Sequence, residues 1–156
     1  MNRKIIAIFA LLILAVSVSA VSAFGLSDLT GSSSDAGVVT IDGIDFNIPD
    51  GFSEEKDLAI DGEVNETDGV KYTTWGKTYI NDENKVISIG VATYDGVEVT
   101  DEMPQYIGGD KVTINGVDGY EYNVASYDGF TFAKDGKLII ISTNDGDLLQ
   151  DVVVTS

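Results

Sequence analysis

The chain has 156 residues, 44% of them hydrophobic, and 26 acidic against 9 basic side chains give it a formal net charge of −17, with no histidine and no cysteine. That length bounds it to one domain plus whatever its N-terminus contributes, with enough apolar residues for a core. The missing residue types exclude Ser-His-Asp and Cys-His catalysis by this chain's own side chains, along with disulfides, thiolate metal sites and a lipidated-cysteine anchor.

The first 24 residues, MNRKIIAIFALLILAVSVSAVSAF, place Arg3 and Lys4 before an uncharged apolar run and then small residues, the order of an export signal. Val18-Ser19-Ala20 and Val21-Ser22-Ala23 both suit a signal peptidase, so cleavage is expected near Ala20 or Ala23. The alternative keeps residues 5–24 uncleaved as a single transmembrane helix, the rest of the chain lying outside the cell. From Phe24 onward seven lysines and no arginine face 26 acids, a net of −19. Such a surface speaks against a nucleic-acid partner and reads as solubilising. Residues 25–37, GLSDLTGSSSDAG, read as a flexible linker.

A single extracytoplasmic domain is expected over residues 38–156. Val38 to Ile48 reads as a hairpin about Asp42-Gly43 in which Ile41 faces Ile44 and Val39 faces Phe46, closed by the turn Pro49-Asp50-Gly51. Ser53 to Gly69 is the most polar stretch. Ser53 is predicted to cap one or two helical turns carrying Leu58 and Ile60, with Asp61-Gly62 and Asp68-Gly69 stopping anything longer. Asn65-Glu66-Thr67 is the one N-x-S/T sequon and is expected in a surface loop. Val70–Ile80 and Val86–Tyr94 read as two long strands joined by residues 81–85. Ile87, Ile89 and Val91 share one face, and the small Ser88, Gly90 and Ala92 leave room for a second layer on the other. Trp75 is expected in core or edge packing, with a ligand platform as the alternative. Residues 97–109 form a short helix or irregular crossover, begun by Thr100 or Asp101, with Pro104 in a first turn and Gly108-Gly109 ending it.

The organising stretch is Val112 to Thr143. Asn115-Gly116, Asp118-Gly119, Asp128-Gly129 and Asp135-Gly136 cut it into short apolar runs. Hairpins about the last two pairs would place Ala125, Tyr127, Phe130, Phe132, Ile139 and Ile141 on one face of a three-stranded meander, and the two registers agree. Behind Asp147, the side chains of Leu148, Leu149, Val152 and Val153 fall on one helical face. The alternative makes residues 152–154 a terminal strand. The expected fold class is therefore α+β: an antiparallel sheet of hairpins and meander with one or two short helices, the C-terminal one included. An all-β sandwich is the alternative.

Little in the chain points to chemistry. Nine Asp-Gly pairs invite a calcium reading, but none meets the spacing of the EF-hand loop, and turn formation accounts for them. Asn144, Asp145 and Asp147 are the densest oxygen cluster, and Asp147 belongs to a helix start. Paired carboxylates can hydrolyse glycosidic bonds without histidine. Glu121, between Tyr120 and Tyr122, is the one acid with suggestive neighbours, and strand alternation turns it towards solvent. No catalytic, cofactor-binding or metal-binding residue is assigned.

The elements FNIPDGF, ISIGVATY and GYEYNVASYDGFTFAKDGKLIIIST, followed by a last helix, are together similar to the PsbP-like family over roughly residues 38–156. The resemblance implies a central antiparallel sheet flanked by helices and a non-enzymatic binding or assembly role, with no catalytic residues to carry over. In general style the chain also resembles the small acidic exported proteins of archaea. The expected function is a non-catalytic binding module at the cell surface that contacts a protein or surface polymer, and the membrane through residues 5–24 if they are uncleaved. The alternatives are an extracytoplasmic carboxylate-dependent glycan hydrolase and a calcium-dependent adhesive or sensing domain.

Overall fold

Ten strands account for most of residues 37–154, the part of the chain that the computed structural model describes. Strands β1 (Gly37–Ile41) and β2 (Ile44–Ile48) pair only with each other. Their register is the predicted one, with Ile41 opposite Ile44 and Val39 opposite Phe46. The other strands are β3 (Phe52–Glu54), β4 (Ile60–Thr67), β5 (Val70–Asn81), β6 (Val86–Tyr94), β7 (Asp110–Ile114), β8 (Val117–Val124), β9 (Tyr127–Lys134) and β10 (Lys137–Thr143). They form one eight-stranded sheet in the order β3-β5-β6-β10-β9-β8-β7, with β4 on β5 beside β3. Every pairing is antiparallel.

One face of this sheet is covered by the β1–β2 hairpin and by helix α1 (Leu148–Val152). Ile44, Phe46 and Ile48 from the hairpin, and Leu149, Val152 and Val153 from the C-terminal segment, join Ile87, Ile89, Val91, Phe130, Phe132, Ile139 and Ile141 in the main core. Apolar alternation puts those strand residues on one side, and their burial is the chief stabilising term. Polar groups fix the cover in place. Asn47 Nδ2 donates to the Asp151 carbonyl at 2.9 Å, and Asn115 Nδ2 donates to that of Val153 at 2.9 Å. Lys137 pairs with Asp42 at 2.8 Å, tying the hairpin turn to the sheet.

The other face is covered by the crossover. After β6 the chain passes over β10, β9 and β8 to reach β7 at the far edge. The Val99 amide donates to the Gly136 carbonyl, and a single 3-10 turn, Met103–Tyr106, packs against β8 and β9 with Pro104 in its first turn. A second apolar cluster of Tyr72, Ala92, Tyr94, Val99, Leu138 and Ile140 lies here, with Met103, Ile107 and Tyr122 against it. The small side chains at Ser88, Gly90 and Ala92 admit this layer, as expected.

The α+β class holds, and residues 148–152 are helix, so the sandwich alternative falls. Four expectations are corrected. First, the meander's β8–β9 turn is Ala125-Ser126, with Ala125 at φ 58°, while Asp128-Gly129 lies inside β9. Phe130, Phe132, Ile139 and Ile141 share the core face as predicted, but Tyr127 lies on the opposite face and Ala125 in the turn. Second, Ser53 lies in β3, and the polar stretch makes only one 3-10 turn, Lys56–Leu58, before β4. Gly62 there, at φ 68°, accommodates a bulge between Asp61 and Glu63 instead of ending the element. Third, Asn65 is therefore in a strand, opposite Tyr72, and not in a loop.

The fourth correction concerns the membrane. Among the described residues no helix is long and apolar enough to cross one. The one α-helix there has five residues, where a span needs about 20. The transmembrane helix and the single-span localisation are withdrawn. Residues 5–24, on which they rested, lie outside the described residues, as do the cleavage sites and most of the linker.

Candidate binding face

One row of directly paired residues runs across five strands on the crossover face. Tyr122 of β8 stands opposite Gly129 of β9, Gly129 opposite Ser142 of β10, Ser142 opposite Ser88 of β6, and Ser88 opposite Thr78 of β5. Directly opposite residues share a face, so the row aligns a phenol, a bare glycine and three aliphatic hydroxyls. The Tyr122 ring lies over Gly129, where an added Cβ would come within 2.1 Å of Cζ. Thr78 and Ser88 bond to each other through their hydroxyls at 3.1 Å. The Tyr122 Oη and Ser142 Oγ are buried and have no hydrogen-bond partner among the described residues. A buried hydroxyl left unpaired costs about 1–3 kcal/mol, and folded proteins keep few of them.

Two tyrosines flank the β8–β9 part of the row, one on β9 and one on the crossover turn that packs against β8 and β9. Tyr127 pairs directly with Val124, which is 40% exposed, and Tyr106 on the crossover turn is 38% exposed. No member of the row carries a charge. Burial raises the pKa of Tyr94, Tyr122 and Tyr127 above the usual phenol value, with the nearby Tyr72 adding to the rise at Tyr94. The sign follows from linkage: above the unfolded phenol pKa of about 10 the unfolded chain sheds protons that the folded chain keeps. Stability is therefore expected to be intact below about pH 10 and to fall as pH rises towards the raised folded values. Urea midpoints across that range, beside tyrosinate absorbance, test this; Tyr94 and Tyr122 should ionise only as the fold opens.

The residues singled out from the sequence do not meet at a site. Glu121 is exposed, across from Asp110 on β7 and Phe130 on β9, with no enclosing apolar wall. Trp75 is half-buried against the main core and over Gly62, which is packing and not a platform. Asn144 accepts from the Val86 amide at 2.8 Å and donates to the Asn84 carbonyl at 2.9 Å. Asp145 pairs with Lys85 at 2.9 Å. That hydrogen bond holds the Asp145 carboxyl below its usual pKa and lifts the Lys85 ammonium above its own. Asp147 stands at the start of α1 without a side-chain cap bond. Among the described residues no three acidic side chains converge where a metal ion could be held. Sequence reading did not find the hydroxyl row, because recognising it requires the register of five strands. Its one visible trace was the small-residue alternation in β6.

No protein-family model, no curated protein and no solved structure matches the chain.

Proposed function

We propose that the chain is an exported, non-catalytic interaction module that binds a protein or surface polymer through the crossover face. The observation that carries this reading is the pair of buried hydroxyls at Tyr122 and Ser142, without a hydrogen-bond partner among the described residues, on a face that also carries Tyr127. Groups that lower stability without an internal partner are expected where contact with another molecule is their use. Tyrosine supplies large contact area at low entropic cost and is enriched at interfaces. The export-like residues 1–24 and the element order similar to the PsbP-like family support the same reading.

The test is co-sedimentation of the protein with envelope material from its own cells, with protease or periodate treatment of that material to separate protein from polymer. The Tyr106→Ala/Tyr127→Ala double variant is expected to weaken binding by at least about thirtyfold, the size of an interface hot spot of about 2 kcal/mol. Ser142→Ala is expected to stabilise the fold by about 1 kcal/mol while weakening binding. Affinity unchanged in both variants overturns the assignment to this face. Release of new reducing ends from the polymer overturns the non-catalytic reading.

A further inference from the structure

We infer that Asn65 is an acceptor of N-linked glycosylation, taking a saccharide from a lipid-phosphate-linked donor. The inference rests on the exported reading and on three observations about this residue. The first is the motif: Asn65-Glu66-Thr67 is the one sequon in the chain. The second is position. Among the described residues strand β4 pairs with β5 alone, so its outer side is an open edge of the sheet there, and Asn65 stands close to the hairpin tip at Asp68-Gly69.

The third is the state of the side chain. Residues 37–154 contain seven asparagines, and five of them, Asn47, Asn81, Asn115, Asn123 and Asn144, use their side chains in hydrogen bonds within the fold. Asn84 has a different use, taking the left-handed φ of 61° in the β5–β6 turn. Asn65 is the one left with neither a side-chain bond nor a special backbone conformation. The Thr67 hydroxyl is likewise without a hydrogen bond among the described residues. Both groups that define the motif are thus uncommitted to the fold.

Modification here would also serve the molecule. An open edge strand of eight residues is a template for pairing with another chain. On β4 this hazard is met by Asp61, Glu63 and Glu66 and by the Gly62 bulge, yet Val64 remains 65% exposed. A saccharide on the next residue would block edge-to-edge approach sterically. In the transfer, Asn65 Nδ2 bonds to the anomeric carbon of the saccharide and loses one proton. The bond from that carbon to the phosphate oxygen breaks, and the lipid phosphate leaves with the electron pair. Nothing is oxidised or reduced.

The experiment is peptide mass mapping of the protein purified from its own cells, read at the tryptic peptide that spans residues 57–71. A saccharide mass on that peptide is expected, present in Thr67→Ser and absent from both Asn65→Gln and Thr67→Ala. Thr67→Ala keeps the asparagine, so it decides the matter even if Asn65→Gln accumulates poorly. A bare peptide from the wild-type protein, or a modification that persists in Asn65→Gln, overturns the assignment. A bare peptide on protein recovered outside the cell overturns the glycan alone. The same peptide on protein kept inside with residues 1–24 intact takes the export reading with it.

Discussion

A Phe130→Ala variant is expected to lose about 3–5 kcal/mol of unfolding free energy, a third or more of what a domain of this size typically has. Phe130 is fully buried at the centre of the meander, with Ile141 opposite it on β10 and Glu121 on β8. Its ring centroid is 5.3 Å from that of Phe132. The far edge of the ring fills the space a side chain would take at Gly119, where an added Cβ would come within 2.6 Å of it. Truncation therefore empties volume beneath a backbone that cannot collapse into it. Denaturant titration should show a lower midpoint at an unchanged slope. A loss below about 1 kcal/mol, the range of ordinary surface positions, would mean that Phe130 does not face the core.

Gly129→Ala is expected to cost about 2–3 kcal/mol through overpacking, and Tyr122→Ala should remove most of that cost. The new methyl carbon would lie 2.1, 2.4 and 2.6 Å from three atoms of the Tyr122 ring, and no backbone atom is among its closest neighbours. With the ring gone, the added methyl should cost less than about 1 kcal/mol, giving a coupling energy well outside additivity. A double-mutant cycle on unfolding free energies measures this. If the full cost of Gly129→Ala persists in the Tyr122→Ala background, the glycine is needed for backbone conformation, and the inferred stacking of Tyr122 on β9 fails.

That cycle addresses what the sequence could and could not convey about the meander. Nine Asp-Gly dipeptides look alike on paper, yet their glycines divide into two kinds. Gly43, Gly51, Gly62, Gly69, Gly96 and Gly136 take positive φ, and none would bring a Cβ closer than 3.4 Å to a neighbour. At Gly119, Gly129 and Gly146 φ is not positive, and a Cβ would come within 2.5, 2.1 and 2.9 Å of something. The first kind is local backbone chemistry, legible from the dipeptide, and so the Asp42-Gly43 and Asp135-Gly136 hairpins were readable with their registers. The second kind answers to a residue from another element, which only the folded chain brings near. Strand β4 was hidden for a related reason: an edge strand takes its hydrogen bonds from β5 and needs no apolar alternation of its own. The hydroxyl row was the least legible feature, since Tyr122, Ser142 and Thr78 fall into one line only through four separate strand pairings.

The placing of the core's cover at opposite ends of residues 37–154 bears on when this protein can fold. Asn47 in the first hairpin bonds to the Asp151 carbonyl in the last helix, 104 residues away, and Val152 and Val153 pack with Phe46 in one core. A nascent chain arrested before Val153 still lacks part of the layer over its largest apolar face. The contacts that close the molecule are thus non-local, which makes folding slow and defers closure until Val153 is free to pack. Until then the apolar strand faces that the hairpin and helix will cover stay exposed, the state in which a folding chain is most prone to aggregate.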